Sequence, residues 1–288
     1  MLELNLFLLN NGNIFLDKFF LLVSYLITDI PLVAVLCYVY WCINKDKGIR
    51  TGFILLNGML FNFIVKDIFK AERPYVKNSD IVNKDVKFGY GYSFPSNHSQ
   101  LSMSLLFSVK RYFNIIKFFI PLLVLTLLIG FSRIYLGVHS IIDVLIGFLL
   151  GFFIVKISGN IIDKIMERKK YWYGFLFIIP GIIGIVFFND HDSLKITYLY
   201  LGFLIGFLVE NKYIGYKIPK KIYSKIINYL IGIIGIAAIY LLIENDIKYF
   251  VLGFYITFIA PLLFNLRRKI NENRKNKQSS LLFKSKKR

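Results

Sequence analysis

A chain that alternates long apolar runs with short basic stretches has few ways to fold, and this one does so along most of its length. Nine stretches read as membrane spans, at roughly 19–43, 51–71, 97–111, 117–136, 139–157, 172–188, 196–210, 226–243 and 248–265. About 18 apolar residues suffice to cross the hydrocarbon as a helix, and a spanning backbone must satisfy its polar groups internally. Of the 288 residues, 56% are hydrophobic. A soluble domain of this length would not gather them into so many long runs. The expected fold class is all-α: a polytopic membrane helical bundle of about nine transmembrane helices. The stretch at 97–111 is short for about 30 Å of hydrocarbon, and we expect it to start deep in the protein.

The formal charge of +19 would suit a nucleic-acid ligand, but its placement does not. The basic residues sit between the spans and at the C-terminus, a pattern that fits loops and a tail facing anionic lipid, and no nucleic acid. Lys45, Lys47 and Arg50 lie in one such stretch, and Lys110, Arg111 and Lys117 in the next but one. Lys164, Arg168, Lys169 and Lys170 follow, then Lys212, Lys217, Lys220, Lys221 and Lys225. The intervening short loops, around Asp190–Asp192 and Glu244–Asp246, are acidic or neutral. Under the positive-inside rule the basic set is cytoplasmic. An odd span count then puts the N-terminus outside a cell membrane, with the polar residues described next at the outer face and the C-terminus inside.

Residues 2–18, broken by Asn10-Asn11-Gly12-Asn13, read as an interfacial segment and carry no signal-peptide pattern. Cys37 and Cys42, five apart in one span, point in different directions and imply no disulfide or metal cluster. Gly147/Gly151 and Gly202/Gly206 are small-xxx-small pairs, read first as close helix packing. The polar tail from Asn271 is expected to be disordered. The organisation predicted is a catalytic membrane core over 1–158, four further spans over 159–265 and a basic tail over 266–288.

Three groups of polar residues lie at span ends, where charge is costly and needs a reason. Lys66 and Arg73 are two helical turns apart, so one helix would carry both cations on one stripe, and Pro74 would end it. Such an end can grip a phosphoryl group, although snorkelling lysines with Asp67, Lys70 and Glu72 would also explain it. Pro95-Ser96-Asn97-His98 opens a helix, with Ser96 as N-cap and first-turn amides suited to phosphate. A capped helix with a solvated histidine is the plainer alternative. His139 and Asp143 are four apart, so the carboxylate can fix the imidazole tautomer of a nucleophile, or merely stitch two spans together. Arg133 precedes them, and Gly137 permits the tight turn between. His191, between Asp190 and Asp192, reads as a solvated loop residue.

Taken together, Lys66-(six residues)-Arg73-Pro74, Pro95-Ser96-Asn97-His98 and Ser132-Arg133-(five residues)-His139-(three residues)-Asp143 resemble the three-part signature of the type-2 phosphatidic acid phosphatase (lipid phosphate phosphatase) superfamily, in its integral membrane branch. The resemblance covers roughly residues 15–158. It implies a phosphatase that uses no metal and no cofactor. His139 would be the nucleophile, Asp143 its orienting carboxylate and His98 the general acid for the leaving oxygen. Lys66, Arg73, Ser96, Arg133 and the Asn97 amide would bind phosphoryl oxygens. One departure stands out: Asn97 occupies a position where the family usually has glycine.

The substrate implied is a lipid phosphate or pyrophosphate held within the membrane. A composition rich in Ile, Lys, Asn and Phe leans toward a bacterial polyprenyl pyrophosphate. The competing readings are phosphotransfer to a lipid or sugar hydroxyl, hydrolysis of a sugar phosphate, and a transporter or scaffold without catalysis. Product analysis separates phosphotransfer from hydrolysis, since transfer leaves no free phosphate, and the absence of inverted repeats in the sequence speaks against the last.

Overall fold

The computed structural model describes residues 2–114 and 116–285, with side chains up to residue 273. Every regular element among the described residues is helical. The order is α1 (Glu3–Asn10), α2 (Ile14–Tyr25), α3 (Asp29–Tyr38), α4 (Lys45–Phe69), α5 (Pro74–Lys77), α6 (Asn97–Tyr112), α7 (Phe119–Tyr135) and α8 (Ile141–Glu167). Then come α9 (Ile179–Phe188), α10 (His191–Tyr213), α11 (Ile222–Leu242), α12 (Ile247–Phe254) and α13 (Ala260–Ser285). Single π-turns extend α3 over Val39–Ile43 and join α12 to α13 over Tyr255–Ile259.

Seven helical segments are long and apolar enough to cross a membrane, or eight if the bent pair Ile14–Tyr25 and Asp29–Ile43 counts as one span. The expected count of nine is not confirmed: the stretch at 97–111, which is α6, is too short and too polar to join that set, although it runs from one end of the bundle to the other. At about 1.5 Å per residue its 16 residues cover about 24 Å. Ser99, Gln100, Ser102, Ser104 and Ser108 along it are buried polar residues, not a lipid-facing surface.

The chain forms two compact units, one of Met1–Tyr40 with Asp46–Thr197 and the other of Trp41–Lys45 with Tyr198–Arg288. In the second, Trp41 is fully buried and donates from Nε1 to the Ile256 carbonyl at 3.0 Å, inside the π-turn. Gly202 lies so close to α12 that a Cβ there would meet the Phe250 carbonyl at 2.0 Å, which accounts for this pair as close packing. Buried Glu210 pairs with Lys45 and accepts from the Tyr216 amide at 2.6 Å. The disorder expected from Asn271 falls mostly on residues whose side chains lie outside the description; the backbone there continues α13 to Ser285.

In the first unit α6 packs against α7 and α8. Gly147 and Gly151 allow this, since a Cβ on either would come within 2.6 Å of the Ser96 or 2.5 Å of the Gln100 carbonyl. At one end of these helices Asp163 accepts from Arg50 of α4 at 2.7 Å, from Arg111 of α6 at 2.5 Å and from Tyr112 at 2.9 Å. Two cations read from the sequence as lipid-facing are thus tied to a carboxylate. The opposite ends of the same helices carry Lys66, Ser96, Arg133 and Asp143. The N-terminal segment also docks there: Phe20, Tyr135, Leu136 and Val138 form a buried cluster, with Leu8, Leu16 and Tyr75 packed on it.

Candidate active site

The Lys66 and Arg73 pair does not form one helical stripe. α4 stops at Phe69 because Lys70 takes a left-handed φ of 45°, and Arg73 stands in extended backbone ahead of Pro74. Both cations nevertheless reach one segment. Lys66 Nζ donates to the carbonyls of Tyr92 at 2.5 Å and Ser93 at 3.3 Å. Arg73 donates from Nε to Gly91 O at 3.0 Å, from Nη2 to Tyr90 O, and from Nη1 to Val138 O at 2.9 Å. Two residues predicted to hold phosphate therefore hold the 90–93 segment and the turn at Val138 in this conformation.

Arg73 Nη1 also lies 3.3 Å from His139 Nε2. A guanidinium can only donate, so Nε2 must offer its lone pair and the ring proton belongs on Nδ1. The imidazole is then neutral, with the free lone pair on the ring edge facing Arg73. His139 is 2% exposed and stands in the connection between α7 and α8, outside both flanking spans. Burial holds its pKa well below the ordinary histidine value; the nearby Asp143 carboxylate opposes this, and Arg73, Lys66 and Arg133 add to it. The Nδ1 side faces Ser93 Oγ at 3.4 Å and Asp143 Oδ2 at 3.7 Å.

The turn carrying His139 is fixed from several directions. Gly137 has φ +75°, and a Cβ there would meet the Val82 carbonyl at 2.4 Å, so glycine is required. The Leu136 carbonyl accepts from the Lys84 amide at 3.1 Å. Asn5, buried in the first helix, donates to the Ile134 carbonyl at 2.8 Å and the His139 carbonyl at 3.1 Å. At the start of α8, Ser140 and Asp143 make a capping box, with the Ser140 amide donating to Asp143 Oδ2 at 2.7 Å. The Asp143 carbonyl in turn accepts from the Ser96 amide at 3.0 Å, which ties the start of α6 to the start of α8.

Ser96 caps α6, its Oγ accepting from the Ser99 amide at 3.4 Å and the Ser99 hydroxyl at 2.9 Å. By helix geometry the Asn97 and His98 amides have no carbonyl partner within α6. His98 lies edge-on to Phe88, with ring centroids 6.1 Å apart. Its Nε2 is buried and has no hydrogen-bond partner, and the same holds for Asn97 Oδ1. Arg133 is fully buried and pairs through Nη1 with Asp85 Oδ2 at 2.6 Å and with the Ser24 hydroxyl. Its Nε and Nη2 are buried without a partner. Buried polar atoms of this kind are costly when unmet, and the Arg133 nitrogens among them can only donate. Arg133 is the strongest charged influence on His98.

Among the described residues no group of three or more His, Cys, Asp or Glu is placed to hold a metal ion. Asp190 accepts from the Asp192 and Ser193 amides at 3.2 and 2.9 Å, capping α10. Reasoning from sequence missed Asn5, Asp85 and Ser93. A lone asparagine, aspartate or serine in a polar stretch carries no signal, and each acts through a contact distant in the chain.

The chain is similar to known proteins over much of its length. Residues 47–167 match the PAP2 superfamily, and residues 196–272 match the transmembrane extension of PAP2 superfamily phosphatases. Phosphatidylglycerophosphatase B of Bacillus subtilis is 41% identical over 48% of this chain and 71% of its own length. Undecaprenyl-diphosphatase BcrC of the same organism is 26% identical over 52% of this chain and 79% of its own. Sphingosine-1-phosphate phosphatase 1 of Mus musculus is 31% identical over 55% of this chain but only 39% of its own. The solved structure of Aquifex aeolicus LpxE superimposes with a TM-score of 0.49 at 25% identity, over 55% of this chain and 94% of that one. The chain belongs to the PAP2 superfamily and is a multi-pass membrane phosphatase, a hydrolase of phosphoric esters or diphosphates.

Proposed function

We propose that this protein hydrolyses a lipid phosphate or pyrophosphate, with a polyprenyl pyrophosphate favoured, through a phosphohistidine on His139 at the outer face of the membrane. The observation that carries the reading is the set of unpartnered buried nitrogens, His98 Nε2 with the donors Nε and Nη2 of Arg133. Arg73, beside them in the order of the motif, faces His139 so that Nε2 keeps its lone pair. A phosphoryl group entering there meets Arg133, the first-turn amides of α6 and a nucleophile in its reactive tautomer. The His139 lone pair forms the N–P bond as the bond from phosphorus to the leaving oxygen breaks, and His98 supplies the proton that oxygen needs. Water then attacks phosphorus, gives its proton back to His98, and the P–N bond breaks to release inorganic phosphate. Lys66 and Arg73 shift from carbonyls to phosphoryl oxygens as charge builds.

Two relatives support the lipid substrate by what their names say of them: one acts on undecaprenyl diphosphate and another on phosphatidylglycerophosphate. The outer face is supported by the basic ends of α4, α6 and α8 lying opposite the site. The test is phosphate release by purified protein in detergent from farnesyl diphosphate, phosphatidate, sphingosine 1-phosphate and glucose 6-phosphate, with excess chelator present. Turnover of the lipids, inhibition by vanadate and loss of nearly all turnover in His139→Ala are expected. Turnover of glucose 6-phosphate alone, or near-normal release by His139→Ala, would overturn the reading.

A further inference from the structure

Asp143 is the residue expected to orient His139, yet the two do not touch in the way that role requires. The Nδ1 to Oδ2 distance is 3.7 Å, beyond an ordinary hydrogen bond. Ser93 stands between them. Its hydroxyl is 2.7 Å from Asp143 Oδ2 and 3.4 Å from His139 Nδ1. A carboxylate only accepts, so the Ser93 hydroxyl donates to Asp143. That leaves its oxygen lone pairs to accept the Nδ1 proton, which the Arg73 contact has already placed on that nitrogen.

Ser93 is held for this task from both ends of its backbone. Its amide donates to the Ala71 carbonyl at 2.7 Å, and its own carbonyl accepts from Lys66. The side chain is 1% exposed, so water cannot readily substitute for the hydroxyl. Asp143 is held as well, by the Ser140 amide on the same oxygen.

We propose that Ser93 is a positioning residue for the hydrolysis: its hydroxyl relays the Asp143 carboxylate to His139 Nδ1 and so keeps Nε2 as the attacking lone pair. The relay rests on the function proposed above. It assigns Lys66 a second task, because the lysine fixes the Ser93 carbonyl as well as facing the phosphate. It also explains why Asp143 can serve both as part of a helix cap and as partner to the nucleophile.

The experiment is a double-mutant cycle on the full-length protein in detergent, with phosphate release from farnesyl diphosphate and phosphatidate as the readout. Ser93→Ala should lower kcat by about ten- to a hundredfold, the scale seen when outer partners of metal-bound histidines are removed, with KM changed by less than about threefold. Ser93→Cys keeps the shape with a slightly larger atom but hydrogen-bonds poorly, and should resemble Ala more than wild type. In an Asp143→Ala background, Ser93→Ala should add less than about threefold, because the relay is already cut. Melting temperatures of all variants report whether they fold. Unimpaired kcat in Ser93→Ala, near-wild-type kcat in Ser93→Cys, or losses that multiply across the cycle would each overturn the relay while the proposed hydrolysis stands. A wild-type protein that releases phosphate from neither lipid would overturn the hydrolysis, and the relay with it.

Discussion

Removing the carboxylate of Asp85 tests the site through its most deeply buried charge. Arg133 is fully buried and Asp85 is 5% exposed, with 2.6 Å between the paired atoms. Taking one partner from a buried ion pair leaves an uncompensated charge and costs about 3–5 kcal/mol. For a unit of this size each kcal/mol moves the melting temperature by about 2–4 °C. Asp85→Ala should therefore melt about 6–20 °C below wild type. The guanidinium also has two unpaired donor edges, at Nε and Nη2, where the proposed phosphate would bind. An anion at that position supplies the charge that Asp85 supplied, so vanadate should raise the melting temperature of Asp85→Ala by more than it raises wild type. The assay is thermal unfolding in detergent with and without vanadate, beside the double variant Asp85→Ala/Arg133→Met, which should regain most of the lost stability. A single variant melting within about 2 °C of wild type would refute the ion-pair reasoning. Equal vanadate shifts in the two proteins would remove Arg133 from the anion site.

Asn5→Ala should strip two carbonyls of the His139 turn of a shared donor, costing about 1–3 kcal/mol and lowering kcat by about ten- to a hundredfold through misplacement of the ring; unchanged kcat would make the N-terminal helix irrelevant to the site. In the proposed mechanism His139 must be neutral to attack, and burial lowers its pKa, so the neutral form persists below the ordinary histidine value of 6.5. Corrected for substrate ionisation, kcat/KM should stay level as pH falls through 6.5; a limb at or above that pH which moves in Asp143→Asn would contradict this. For membrane orientation, a cysteine at exposed Ser79, in a background lacking Cys37 and Cys42, should react with an impermeant thiol reagent on intact cells. A cysteine at Lys169 should react only after the membrane is opened, and the reverse pattern would place the site in the cytoplasm.

Much of the fold was legible because apolar runs and their basic ends are local signals. The stretch at 97–111 is short and rich in serine, so its sequence alone does not separate a crossing helix from one wrapped in protein. The polar face of α6 is turned inward onto α7 and α8, and the Ser96 and Gln100 carbonyls press against Gly147 and Gly151. The constellation at the span ends was legible as a spacing, and the structure brings Lys66, Arg73, His98, Arg133, His139 and Asp143 into one region. What the spacing could not convey was the present occupation of those side chains. Lys66 and Arg73 hold carbonyls of residues 90–93, and α4 ends too early to place them on one stripe. Asp85 and Ser93 lie in a loop without periodicity, where only tertiary contacts distinguish one polar residue from the next. Gly137 was readable as a turn, but its closeness to the Val82 carbonyl was not.

The contact between Arg73 and His139 Nε2 makes the proposed nucleophile a covered one at rest. A neutral electrophile approaching the ring finds its lone pair already shared with a guanidinium, and has nothing to offer that cation in return. An anion does: by drawing Arg73 onto its own oxygens it uncovers the nitrogen it is about to meet. Charge on the incoming group thus serves as the key as well as the handle. Under the proposed mechanism, uncharged carboxylic esters of the bilayer would be left intact by a histidine that would otherwise be free to attack them.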